Sequence, residues 1–108
     1  MRKESKKLAK LERERFSILT DNLEQCYLCG CRKQHLHEIY YGAKHRSLSM
    51  QYGCVIPLCQ RCHNQVHNNI EIDTMLKQKC QKKFKEIYEK YFIEIFKRSY
   101  LWKKYGKL

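Results

Sequence analysis

Cys26-Tyr27-Leu28-Cys29-Gly30, and then Val55-Ile56-Pro57-Leu58-Cys59-Gln60-Arg61-Cys62-His63-Asn64-Gln65-Val66-His67, are the two stretches that decide how this chain is read. Each carries a Cys-x-x-Cys pair, and 29 residues separate the pairs. Two such pairs make a tetrahedral four-sulfur site of the kind that holds structural zinc, closed to chemistry because no coordination position is left. Cys26, Cys29, Cys59 and Cys62 are therefore expected to be structural zinc ligands. The second pair runs directly into His63 and His67, which on a helix stand one turn apart and point the same way, so they can share a second metal ion. His35-Leu36-His37-Glu38 lies between the pairs, and a strand there carries His37 towards them. Imidazole ligands leave positions open for water and a phosphate oxygen, which suits metal-assisted phosphodiester cleavage. Two plainer readings compete: ordinary reduced cysteines, or a single mixed Cys/His site with no second metal.

The chain has 108 residues, enough for one small domain with appended elements. The motif region spans only roughly 45 residues, a size at which metal is a main organiser of the fold. Seven cysteines raise the possibility of a secreted disulfide scaffold. Met1 leads into Arg2, Lys3, Glu4, Lys6 and Lys7, however, with no apolar signal segment, and no run is long enough to span a bilayer. A reducing cytoplasm with metal-bound thiolates is the expectation. Net charge is +12, distributed as +2 over residues 1–25, +4 over 26–70 and +6 over 71–108. The middle segment sets Arg32, Lys33, Lys44, Arg46 and Arg61 against Glu38 alone. A polyanion is the natural partner, and a merely solvated basic surface is the alternative.

Apolar Leu8, Leu11, Phe16, Ile18, Leu19 and Leu23 recur at helical spacing, predicting an amphipathic helix from Ser5 to about Leu23, with Thr20-Asp21-Asn22 as its stop. His35–Tyr41 alternates and reads as a strand, ended by Gly42. Residues 43–52 read as a loop or short helix closed by Gly53. Cys54–Leu58 reads as a second strand, and a helix is expected from Cys62 to about Asn69. In the tail, Leu76, Cys80, Phe84, Tyr88, Phe92 and Phe96 follow at four-residue steps, with Ile87, Tyr91 and Ile95 beside them. Asp73 is the expected N-cap, and a break is expected near Tyr91–Phe92.

The same residues resemble a family, the HNH or His-Me finger (ββα-metal) nucleases, in particular small phage and prophage members with an added four-cysteine zinc site. The likeness rests on Cys26–Gly30, Leu36–Gly42, Arg46, Ser49, Tyr52-Gly53 and Val55–His67, covering about residues 24–70. It implies a small α+β fold: a treble-clef-like, zinc-bound ββα-metal core flanked by N- and C-terminal amphipathic helices. Its divisions would be 1–23, 24–70 and 71–108 of a single domain. It further implies a metal-dependent DNA endonuclease, with structural Zn²⁺ and with Mg²⁺, Mn²⁺ or Zn²⁺ in the working site. His63 and His67 match the helix metal ligands. His37-Glu38 matches the paired position at the end of the first strand, where the family often has Asp-His or His-His, a ligand followed by a general base. Here Glu38 stands in the base position and His37 in the ligand position. Either Glu38 is the base, or His37 is, being better matched to neutral pH. The asparagine that often precedes the second knuckle is replaced by Gly53-Cys54.

Arg46 is a candidate phosphate clamp, with Lys44 and Arg61 as further DNA contacts. Tyr40 and Tyr41 are expected to pack the hairpin. Cys54 and Cys80 are expected to be packing residues, Cys31 is an alternative knuckle ligand, and His35 shares a strand face with His37. Two other functions compete with the nuclease: a zinc-stabilised nucleic-acid-binding module without activity, and a protein-interaction module built on the amphipathic helices.

Overall fold

In the computed structural model, which describes residues 3–88 and 92–101, the chain runs α1 (Lys3–Arg13), β1 (His35–Glu38), α2 (His45–Tyr52), β2 (Val55–Leu58), α3 (Gln60–Asn68), α4 (Ile70–Tyr88) and α5 (Phe92–Phe96). The expected small α+β class holds. The two strands pair antiparallel, with His35 opposite Leu58 and Glu38 opposite Val55. All four residues of β2 are buried. Pro57 is tolerated there because its backbone faces the outer edge of β2, away from β1, so its missing N–H breaks no ladder bond. Its carbonyl accepts from Tyr27 N–H at 2.7 Å, fastening the first cysteine knuckle to the sheet. Within that knuckle Gly30 takes φ +84° and returns its N–H to the Cys26 carbonyl at 2.9 Å.

Aromatic side chains make the core on the far side of the hairpin. Tyr40 is fully buried against Phe92 and Phe96, ring centroids 5.0 and 4.7 Å away, and its hydroxyl donates to the Lys77 carbonyl at 2.6 Å. The Ser49 hydroxyl, also buried, donates to the Tyr40 carbonyl and accepts from the Tyr40 N–H, which pins α2 to the end of the hairpin. The four-residue stripe of the tail is real: Leu76, Cys80, Phe84, Phe92 and Phe96 are buried. Ile87 is half exposed and does not share that face. Tyr91 and the exact position of the break lie outside the described residues.

The first strand ends at Glu38 rather than running to Tyr41, and three helix boundaries also differ from the sequence reading, each for a local reason. The N-terminal helix stops at Arg13, well short of Leu23. Beyond it, the Ser17 and Thr20 hydroxyls and the Asn22 carboxamide each accept a backbone N–H two residues on, replacing helix bonds with short turns. Ile18 N–H donates to the Gly53 carbonyl at 2.9 Å, so this apolar run is a strap laid on the core. In the tail, Asn69 rather than Asp73 caps the helix, its carboxamide oxygen accepting from Glu71 and Ile72 N–H, while Asp73 is buried one turn inside. The third helix begins at Gln60, because Cys59 is its N-cap, with Sγ accepting from Cys62 N–H.

Gly53 is the glycine on which this arrangement turns. It ends α2 in the left-handed region at φ 76°, and a Cβ there would lie 2.5 Å from the Phe16 ring and 3.0 Å from Ile18. Gly53→Ala is expected to destabilise by about 1–2 kcal/mol from the backbone alone, and by more if Phe16 cannot move aside. Denaturant unfolding of Gly53→Ala against Gly30→Ala isolates the strap, since a Cβ at Gly30 meets nothing within 4 Å.

Candidate metal centres

A single nine-residue helix, α3, faces two clusters. Its capping residue Cys59 and its first-turn Cys62 turn towards the knuckle carrying Cys26 and Cys29. The four sulfurs lie within 4.8 Å of one another. The Cys29–Cys59 separation, 3.6 Å, is close to the edge of a tetrahedron with bonds of about 2.3 Å, roughly 3.8 Å. The four cysteines therefore form a site that can hold a metal ion. Their protons already redistribute: Cys29 is pushed down to about 6, first by the Cys31 N–H, while Cys62 is pushed up to about 12, first by burial. The Cys29 sulfur holds the exposed Arg61 guanidinium above its ordinary range. Cys31 lies outside the four-sulfur group. Its Sγ is 3.1 Å from that of Cys29, and hydrogen bonding to Cys29 holds it as a thiol, up to about 12. Cys54 and Cys80 are fully buried away from the cluster, as packing residues.

One turn further along α3, His63 and His67 bring their Nε2 atoms to 3.2 Å, and His37 from β1 meets both rings edge-on at 5.5 Å. The three imidazoles offer ligand atoms within 4.8 Å of one another. His37 is 4 % exposed and its Nε2 has no hydrogen-bond partner, while His67 is exposed, so the cluster reaches from the core to the surface. Burial, then the neighbouring His63 and His67, push His37 down to about 4. Burial also lowers His63. Neutral imidazoles are the metal-binding form. Sequence reasoning gave no role to His35, yet it stacks on His63 with centroids 4.5 Å apart and holds Gln60 through Nε2 at 2.7 Å. Tyr41, expected to pack the hairpin, is instead 43 % exposed, its ring lying 6.1 Å from that of His37 and 5.8 Å from that of His67.

Glu38 follows His37 on the strand but is held by two arginines. Arg15 reaches Oε2 at 2.8 Å and Arg46 Nε reaches Oε1 at 3.3 Å, while Arg46 also pairs with Glu12 of α1. Arg46 is thus engaged with carboxylates. Arg15 was not singled out from the sequence, because only the strap that follows α1 brings it to the hairpin. Glu38 remains near enough for its charge to oppose the lowering of His63. Lys44 is exposed beside Tyr41, on a hollow of about 320 Å³ lined by Tyr41, Gly42, Ala43, Lys44 and His45. No helix among the described residues is long and apolar enough to cross a membrane. No protein-family model, curated protein or solved structure matches the chain.

Cys59→Ser is expected to lose the cysteine-bound metal and the stability coupled to it, whereas Cys31→Ser keeps both. Metal content by mass spectrometry and thermal unfolding read the contrast; equal metal in the two variants would overturn the ligand set. A second expectation concerns pH. The unfolded chain protonates His37 near its ordinary value of about 6.5, the folded chain only near 4, so this contribution is complete above 6.5 and is lost as pH falls towards 4. Between pH 7 and 5, with no divalent metal on the histidines, wild type is expected to lose about 2 kcal/mol more than His37→Leu. Chemical unfolding at each pH measures it.

Proposed function

We propose that this chain is a metal-dependent endonuclease domain acting on DNA, a zinc-stabilised, treble-clef-like ββα-metal unit in which the four cysteines are structural. The observation that carries the reading is the convergence of His37, His63 and His67 on one point, apart from the cysteine cluster, in a chain of net charge +12. The donor set fits a divalent cation: three imidazoles whose ligand atoms lie within 4.8 Å of one another. A cation bound there supplies Lewis-acid polarisation of a phosphate oxygen and lowers the pKa of water.

The chain's own residues do the rest. His63 and His67 hold the surface side of the site, steadied by the ring of His35. His37, buried and kept neutral, acts as a ligand rather than as the base. Glu38 is the acceptor for a proton from attacking water, oriented by Arg15 and Arg46. Lys44 and the basic tail meet neighbouring phosphates, and Arg61 belongs chiefly to the cysteine cluster. One observation favours the second reading, a nucleic-acid-binding module without activity: both oxygens of Glu38 are already engaged by guanidinium groups, which occupy positions a proton from water would need.

Supercoiled plasmid incubated with zinc-loaded protein and Mg²⁺, Mn²⁺ or Zn²⁺ is expected to be nicked or linearised. Glu38→Gln should slow cleavage about 100- to 10,000-fold while metal and DNA binding survive. His67→Ala should lose the second metal and keep the first. Binding that weakens steeply with salt, with no cleavage under any of the three ions, decides for the binding module.

A further inference from the structure

Asp73 lies in the first turn of α4, beyond the motif region, and is 3 % exposed. One of its oxygens is fully engaged: Oδ2 accepts from the Tyr41 hydroxyl at 2.6 Å and from Lys77 Nζ at 3.0 Å. The other, Oδ1, is buried and has no partner. Buried polar atoms without partners are rare in folded proteins and each calls for a cause. Among the described residues only three side-chain atoms are in this condition: Arg15 Nε, His37 Nε2 and Asp73 Oδ1. The last two belong to neighbouring groups. Tyr41 spans them, its hydroxyl on Asp73 and its ring beside His37, while Lys77 lies 4.3 Å over the same ring.

We propose that Asp73 is the positioning carboxylate of the three-histidine site: its free Oδ1 accepts the N–H of His37 Nε2 through one buried water, while the opposite ring nitrogen faces the cation. The inference rests on the metal-site reading above and extends it to a residue outside the motif. A histidine that ligates metal usually gives its second ring nitrogen to a carboxylate or carbonyl, which fixes tautomer and orientation and strengthens the ligand. His37 is the one cluster member whose surroundings can supply this. It is the buried histidine, whereas His63 and His67 share one Nε2–Nε2 hydrogen bond nearer the surface. The Tyr41 hydroxyl and Lys77 ammonium hold Asp73 through the other oxygen, leaving Oδ1 buried and unpartnered. The short link through Asn69 between α3 and α4 makes the juxtaposition a product of the helix pair rather than of the hairpin.

The test uses full-length, zinc-loaded protein titrated with Co²⁺, whose visible spectrum reports the histidine site. Asp73→Asn is expected to weaken Co²⁺ binding about 10- to 100-fold with the cysteine-site zinc retained. Lys77→Gln, which removes the ion pair but leaves Oδ1, should change it by less than about threefold. Equal affinity in Asp73→Asn and wild type, or an equal loss in Lys77→Gln, would overturn the proposal, leaving Asp73 an ion-pair partner only. A second readout needs no bound cobalt. In ¹⁵N spectra of the wild type, His37 should show one tautomer with an exchange-protected ring N–H, and His63→Ala, which abolishes Co²⁺ binding, should leave it so. A rapidly exchanging His37 ring in wild type overturns the proposal even where Asp73→Asn fails to fold. Absence of Co²⁺ binding with a locked His37 ring would instead overturn the metal-site reading and leave the Asp73–His37 contact standing.

Discussion

Four sulfurs gathered within 4.8 Å from two distant parts of the chain are the constraint on which the rest depends. The Cys31 N–H holds the Cys29 thiol low, while burial holds the Cys62 thiol high. A cation bound by the four sulfurs would tie the knuckle to the first turn of α3, a link worth on the order of 10 kcal/mol for structural zinc in small domains. That is comparable to the whole stability of an ordinary domain of this size. Once the start of α3 is fixed, helical geometry carries His63 and His67 to a set place one turn along, and the β1–β2 register carries His37 to meet them.

The two clusters are therefore built by one helix with a division of labour around its circumference. Cys62 and Val66 are buried on one side, with the histidines on the adjoining side. The pairing of His37 with Ile56 makes the register decisive, because a slip of one residue would turn His37 to the opposite face and bring Glu38 inward. Pro57 and the Tyr27 N–H hold that register from the sheet's outer edge.

Around this centre, the N-terminal segment acts through charge. Glu12, Arg15, Glu38 and Arg46 form a chain of ion pairs running from α1 across the strap to the hairpin. Its groups are partly exposed, and such pairs contribute little to stability one by one. Their effect here is orientation: they hold the Glu38 carboxylate between Arg15 and Arg46 and link α1 to the hairpin. The same pairs engage Arg46 internally.

Much of this was legible in the sequence, because the informative signals were local. The Cys-x-x-Cys pairs, the i, i+4 histidines and the apolar stripe from Leu76 to Phe96 each repeat at a spacing that one element imposes. They correctly predicted the α+β class, both strands and the two residue clusters. What failed was also local, but ambiguous. Phe16, Ile18 and Leu19 have helical spacing, yet hydroxyl-capped turns and the bond to Gly53 compete successfully for that backbone, and Asn69 outcompetes Asp73 as a cap. Only tertiary structure placed Arg15 on Glu38, His35 on His63, and Asp73 with Tyr41 beside His37. Those contacts join residues tens of positions apart through side chains common on any surface. Sequence by itself determines such a residue's chemistry, but its partner is set by how helices and hairpin pack, and no spacing along the chain encodes that.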